Sequence, residues 1–472
     1  MSDISVIQEL QEAEHELEQF GYKQELKRSL GVGVLTAYGL NYMIPLAPAV
    51  LFGVQLTTSG GTVAIPYIFA AIAMFFTASS YAAMVRVYPL AGSVYNYLSR
   101  GWTPYAGFLA GWGILLDYLL IPGLVTTVGT YWVQQLLPSV PFIVILAIIA
   151  IFTGVVNYFG VEIMARIGLW FLGITGGVVV LGFGVWIYAV VVNHVGTGTL
   201  FSAVPFKSAG PSALLGATAL SVLSYLGFDA ITTLAEETVN PKRDIPRAIY
   251  LTLFIGALLF SLTGYLGMLP IADWAKHASD NNWVSATLFF VAKDTGGTWF
   301  SLVYTAGFIF AVCVFNVVAT SAGARLLFGM GRDELIPKPV FTKLNKWEIP
   351  HFNVILIVLL IFVCGLWLNI DLLSSMVNFG ALLGFILINA VVIVKYCIKD
   401  GDDVKEAREK SAVTFYLRYL ITPLIGIGVN VWIFTSLDPM ALRVGAAWVV
   451  LGLILLAIKT AGFRRLPPSL DV

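Results

Sequence analysis

Two carboxylates in this chain fall where carboxylates are rare. Asp117 sits between Leu116 and Tyr118 near the middle of a long apolar run. Asp229 follows Gly227 and Phe228 inside another. A carboxylate at the centre of a membrane span costs about 2.5–3.5 kcal/mol, so it faces an interior and needs a partner. Three roles compete for Asp117: pairing with a solute ammonium, carrying a coupling proton, or bonding to neighbouring Tyr and Ser groups as a structural lock. Asp229 has two: meeting an amine, or capping the helical segment that follows it. Tyr38, Tyr42, Tyr225 and Phe228 lie close by in sequence. An ammonium against an aromatic face gains about 0.5–2 kcal/mol, although ordinary packing accounts equally well for each ring taken singly. No Lys lies deep in an apolar run, so no internal ion pair is expected. If both carboxylates reach one cavity, a short diamine suits them.

The elements that must position these groups are membrane spans. Of the 472 residues, 58% are hydrophobic and 11% charged, against roughly 25% charged in soluble domains. That excludes a soluble or disordered chain. Twelve apolar segments are long enough to cross a bilayer. They lie near 29–54, 62–85, 102–134, 142–160, 162–192, 212–238, 246–270, 298–325, 353–370, 372–396, 413–437 and 440–462. With the N-terminus placed inside, 23 of the 27 Lys and Arg residues fall on the inner side and four (Lys207, Lys276, Lys293, Arg443) on the outer. That split follows the positive-inside rule and puts both termini in the cytoplasm. The longest outer loop is 271–297, and the longest inner loops are 326–352 and 397–412. Residues 1–28 read as an acidic tail, either a short amphipathic helix on Val6, Leu10, Ala13, Leu17 and Phe20 or a solvated segment, and not as a signal peptide. Residues 463–472 form the second tail.

Two of the spans carry helix-weakening residues. Span 1 contains Gly39, Asn41, Pro45 and Pro48, and span 6 contains Gly227 just before Asp229. Proline removes an N–H and clashes with the preceding turn. An unwound segment bares backbone groups, which a membrane tolerates only where they line a cavity or meet a ligand. Gly39 and Gly227 stand 188 positions apart. Spans 1–5 (29–192) and spans 6–10 (212–396) then read as two halves, each opening on an interrupted helix, with spans 11 and 12 (413–462) appended. Such pairing points to a transporter site at the midplane. The competing explanation is that Gly and Pro are common in membrane helices anyway.

Other classes find no support. Zero net charge gives no reason to expect a nucleic-acid partner. There is no G-x-x-x-x-G-K-[ST] loop for ATP. Cys313, Cys364 and Cys397 show neither disulfide nor metal-ligand spacing. With no nucleophile–base pair or separate output domain, the chain does not read as an enzyme or a sensor. No cofactor or metal is expected. Oligomeric state is not legible.

Three motifs carry a family resemblance. Tyr88-Pro-Leu-Ala-Gly-Ser-Val-Tyr95-Asn-Tyr97 follows P-x-A-G-x-x-Y-x-Y. Tyr225-Leu-Gly-Phe-Asp229 followed by Glu236-Glu-Thr-Val-Asn-Pro241 follows G-F-D…E-E-x-x-N-P. Ser321-Ala-Gly-Ala-Arg325 through Asp333 resembles the exit of span 8. These motifs resemble the amino acid–polyamine–organocation superfamily over roughly 20–465, and Tyr38-Gly-Leu-Asn-Tyr-Met with Leu115-Leu-Asp117 looks closest to its putrescine-importer branch. The resemblance implies an all-α, leucine-transporter-like fold: a five-plus-five inverted repeat with helices 1 and 6 broken and two further helices. It also implies alternating access around spans 1, 3, 6, 8 and 10. One departure matters. Amino-acid carriers of this superfamily usually pair small residues in span 1 to hold a carboxylate, and here only Gly39 remains.

The expected substrate site is Tyr38, Gly39, Asn41, Tyr42, Asp117, Tyr225, Gly227, Phe228, Asp229 and, from the family fold, Asn316, with Ser321, Phe379 and Gly380 completing the wall. Glu236 and Glu237 are expected to form an inner gate with Arg86 or Arg100, the alternative being a solvated positive-inside loop. Some relatives carry a span-5 Lys in place of a sodium ion, and Thr175 stands there in this chain. Thr320 and Ser321 could assist a sodium site, but proton coupling through Asp117 is the first reading. The expectation is a secondary transporter in the plasma membrane importing a small organic cation such as putrescine; the alternative is an amino-acid permease or exchanger.

Overall fold

The computed structural model describes residues 28–90, 93–159, 162–332, 335–347, 349–399, 404, 408–409 and 411–465. The side chains of 93, 160–169, 236 and 332 are not described, and the amphipathic reading of the N-terminal tail lies outside the described residues. The chain is all helical, with one isolated bridge, Leu30 to Thr238, as the only strand-like pairing among the described residues. Among the described residues ten helices are long and apolar enough to cross a membrane, and a bent pair, Val32–Met43 with Pro48–Ser59, makes an eleventh. The 17-residue apolar helix His351–Trp367 stands where span 9 is expected.

Span 1 breaks later than its glycine suggests. The helix runs unbroken through Gly39 and Asn41 to Met43, turns at Ile44 (φ +55°), and restarts at Pro48, bent by 53°. A single helical glycine costs only about 1 kcal/mol. The prolines decide the position, because Pro48 takes the first helical position of the restart, where its missing N–H costs nothing. Span 6 breaks as expected. Pro211–Val222 tightens into a 3-10 turn, Leu223–Tyr225, and the helix is interrupted at Gly227 (φ +117°). A 3-10 helix, Asp229–Glu237, follows.

Two expected loops contain helix. Ser93–Gly101, between spans 2 and 3, buries Tyr97 against Tyr81, with ring centroids 6.3 Å apart. The 271–297 segment holds a short helix, Asn281–Ser285, capped by Asp280, and a second helix that starts at Thr287 and ends at the non-helical Gly297 (φ +70°), beyond which span 8 runs as expected. In the same segment Lys276 lies 3.0 Å from Asp273 and holds that carboxyl below its usual range.

Span 3, Pro104–Leu136, is the central post, with 78% of its apolar window buried. Spans 8, 9 and 10 pack on it. Small residues permit close approach to span 10: a methyl group on Gly380 would lie 2.7 Å from the Gly113 carbonyl oxygen and 2.9 Å from the Asp117 nitrogen. Span 12 is tied to the same post by two tryptophans. Trp112 and Trp448 stack at 4.5 Å, and each indole N–H donates to the other's carbonyl at 2.8 Å.

Candidate functional site

The breaks in spans 1 and 6 face span 3 and leave a small enclosed cavity between them. Its wall holds Tyr42 from span 1, Ile114, Asp117 and Tyr118 from span 3, Leu226, Gly227 and Asp229 from span 6, and Ala381 and Phe385 from span 10. At about 10 Å³ it has room for roughly one water molecule. The two carboxylates singled out in the sequence therefore share one cavity, and its lining holds no basic residue.

Their surroundings differ. Asp229 is buried at the start of the 3-10 helix, and the Gly227 N–H donates to its Oδ1 at 3.2 Å. The positive end of a helix and a backbone donor both favour a charge there. The bond runs back into the break, so Asp229 pins the turn as well as heading the helix. Asp117 is different: its Oδ1 is buried and has no hydrogen-bond partner. An unpaired buried carboxylate oxygen is costly, and a cationic donor or a proton removes that cost. Of the two, Asp117 is the acid left open to a ligand.

Four of the ten expected site residues, Tyr42, Asp117, Gly227 and Asp229, line this cavity. The other six are not part of its lining. Gly39 lets span 1 approach spans 6 and 7: a methyl there would come 2.6 Å from Ile231 of span 6 and 2.9 Å from Thr252 of span 7. Tyr38 is half-buried and Asn41 lies on the same helix. The Tyr225 hydroxyl donates to the Tyr67 carbonyl at 2.9 Å, turning that ring toward span 2. Phe228 packs on Tyr81 and Phe385 at 5.8 and 5.7 Å. Asn316 donates to Thr126 Oγ1 at 2.8 Å, bracing span 8 on span 3.

Span 10 contributes Ala381 and Phe385 rather than the expected Phe379, which packs on Phe434 at 4.9 Å. Ile114 was legible from helical spacing, since it lies one turn before Asp117; Tyr118, adjacent in sequence and so on a different face by helical spacing alone, was not. Thr175 donates to its own helix, to the Phe171 carbonyl at 2.8 Å. Thr320 Oγ1 is buried with no partner, and Ser321 is buried beside it.

At the other end of the 3-10 helix, spans 1 and 6 are clasped. Ser29 and Leu30 N–H both donate to the Glu237 carbonyl, at 2.9 and 3.0 Å, and Val239 N–H to the Leu30 carbonyl at 3.1 Å. The Arg28 guanidinium donates to the carbonyls of Ala235 and Thr238 at 3.3 and 2.9 Å. A cation on the last carbonyls of a helix is favoured by the dipole. Glu237 thus acts here through its backbone. The Glu236 side chain lies outside the described residues, and a terminal nitrogen of Arg86 is buried without a partner. Arg28, which sequence reasoning passed over, is the basic residue that joins the two spans.

Comparison with known proteins agrees with this architecture. The chain is 32% identical over 464 residues to the low-affinity putrescine importer PlaP of Escherichia coli, covering 95% of this chain and 97% of that protein. It is 28% identical over 392 residues to the branched-chain amino acid permease BcaP of Bacillus subtilis, covering 79% and 82%. It is 26% identical over 409 residues to a vacuolar cationic amino acid transporter of Arabidopsis thaliana, covering 80% and 65%. The amino acid permease family matches residues 38–463. The many-helix membrane architecture, the broken spans and this match over most of the chain establish that the protein belongs to the amino acid permease family, a family of membrane transporters.

Proposed function

We propose that this carrier imports a small organic amine, with putrescine as the reference substrate, by alternating access around the cavity between spans 1, 3, 6 and 10. One observation carries the reading: Asp117 presents a buried, unpartnered carboxylate oxygen to a cavity whose lining also holds Asp229 and no basic residue. Such a site attracts an organic cation and repels a free carboxylate. The likeness to a putrescine importer over nearly the whole chain supports the same substrate class. The cavity is closed to the size of one water, so binding a four-carbon diamine requires the bundle to open, as alternating access demands. Import is coupled to a proton moving inward with the amine, and Asp117 is the group assigned to carry that proton. The carrier sits in the plasma membrane with both termini in the cytoplasm, the arrangement the 23-to-4 division of basic residues favours. Spans 1–5 and 6–10 act as inverted halves.

The second reading, an amino-acid permease, is favoured by the relatives that are branched-chain amino acid permeases. Against it stands span 1, which is helical through Gly39 and presents no pair of small residues to a carboxylate. Uptake of labelled putrescine into proteoliposomes, driven by an inside-alkaline pH gradient, tests the proposal against a panel of amino acids. Concentrative putrescine uptake abolished by collapsing the gradient supports it. Uptake of neutral amino acids with putrescine ignored refutes it.

A further inference from the structure

A second cavity of about 40 Å³ adjoins the first, and the two share Tyr42 and Leu226. Its wall is apolar, including Ile44, Val50, Ile121, Leu124 and Phe315. Apart from Tyr42 it holds one side-chain hydroxyl, Ser224. That serine belongs to a buried neutral network. Ser224 Oγ and Tyr67 OH lie 3.1 Å apart. One turn before Ser224, Ser221 Oγ accepts from Gln55 Nε2 of the span 1 restart at 3.1 Å and spends its own proton on the Ala217 carbonyl at 2.9 Å. Gln55 must therefore present its N–H to Ser221, which leaves Gln55 Oε1 buried with no donor. The Ser224 hydroxyl oxygen, paired to Tyr67 through a single hydrogen bond, keeps a lone pair able to accept. It also lies where the Pro211–Val222 helix and its 3-10 continuation end at Tyr225, so the partial negative charge of a helix C-terminus points toward it.

Resting on the amine reading above, we propose that Ser224, backed by Tyr67, Ser221 and Gln55, forms a neutral subsite for the far end of the substrate. The first ammonium pairs with Asp117. The hydrocarbon chain lies past Tyr42 and Leu226 along the apolar cavity. The second amino group donates to the Ser224 hydroxyl oxygen. A cation left in the apolar cavity without an acceptor would be strongly disfavoured, and beyond Tyr42, which the two cavities share, Ser224 carries the side-chain acceptor in that wall. The network therefore makes the carrier prefer an α,ω-diamine to the monoamine of equal length.

Binding to the purified carrier, measured for putrescine and for butylamine, reads this directly. In the wild type, putrescine should bind at least tenfold tighter than butylamine. Ser224→Ala should weaken putrescine about five- to tenfold and leave butylamine unchanged. Gln55→Leu should act in the same direction and more weakly, and retained butylamine binding shows that each variant is folded. Equal losses for both amines would place Ser224 at the carboxylate end and overturn the subsite. Unchanged putrescine binding in Ser224→Ala, while Asp117→Asn still weakens it at least tenfold, would overturn the subsite and leave the amine reading standing. If neither amine binds the wild type, both fall.

Discussion

The α-carbon of Gly227 rests on the ring of Tyr42: a methyl group at Gly227 would lie 2.8 Å from Tyr42 Cγ and 2.9 Å from its Cβ. The contact joins the break of span 6 to span 1 at the wall of the carboxylate cavity. Gly227 also has φ +117°, a conformation that side chains with a Cβ resist. Gly227→Ala should therefore reduce uptake at least tenfold while membrane insertion and surface abundance stay normal. Gly227→Leu should abolish uptake. Wild-type rates in either variant would mean that this contact has no part in transport.

Asp117 and Asp229 should respond differently to neutralisation. Asp117→Asn removes the acceptor that lacks a partner, and a charge-assisted hydrogen bond is worth about 1.5–3 kcal/mol, or roughly 10- to 100-fold in amine affinity. Asp229→Asn should cost less binding, because its charge is held by the Gly227 N–H and the helix start. It should instead lower thermal stability by loosening the turn. If Asp117→Asn binds normally but cannot concentrate substrate while exchange persists, Asp117 serves the proton alone. Normal binding and normal accumulation would make it structural.

Gly380 sets the distance between spans 10 and 3 behind Asp117. Gly380→Val should overpack that contact, a change that typically costs about 1–3 kcal/mol. A lower melting temperature of the detergent-purified protein, with substrate affinity falling in parallel, is the expected result. Unchanged melting would show that the two helices part easily there.

Membrane sidedness is open to a chemical test. In a variant whose three native cysteines, Cys313, Cys364 and Cys397, are replaced by serine, single cysteines in 271–297 should react with an impermeant thiol reagent from outside. Those in 397–412 should not. Reversed labelling would invert the proposed orientation.

Much of this was legible in the chain, and the misses share a cause. Span positions follow from runs of apolar residues, which bilayer thickness converts directly into helices. Asp117 and Asp229 stood out because a charge in an apolar run has few explanations. The break in span 6 was legible because glycine and a capping acid coincide there. The break in span 1 was displaced from Gly39 to Ile44 because Pro45, which lacks an N–H and pushes the residue before it out of the helical region, follows Ile44, and Pro48 opens the restart. The directions of Tyr225, Phe228 and Asn316 depend on helix rotation and on partners far away in sequence, such as Tyr67, Tyr81 and Thr126, which no local pattern encodes. Arg28 looked like one more positive-inside residue until the fold brought it to carbonyls more than 200 positions away.

The central claim is that the cavity takes an amine and rejects a carboxylate. Putrescine and ornithine differ by one carboxylate on the same chain, so their competition for labelled putrescine uptake isolates that group. A carboxylate beside Asp117 and Asp229 would be desolvated next to like charge with no basic residue to meet it. Putrescine should compete at least tenfold better than ornithine, a difference of about 1.4 kcal/mol. Equal competition, or a preference for ornithine or a neutral amino acid, would contradict the amine reading and favour an amino-acid permease.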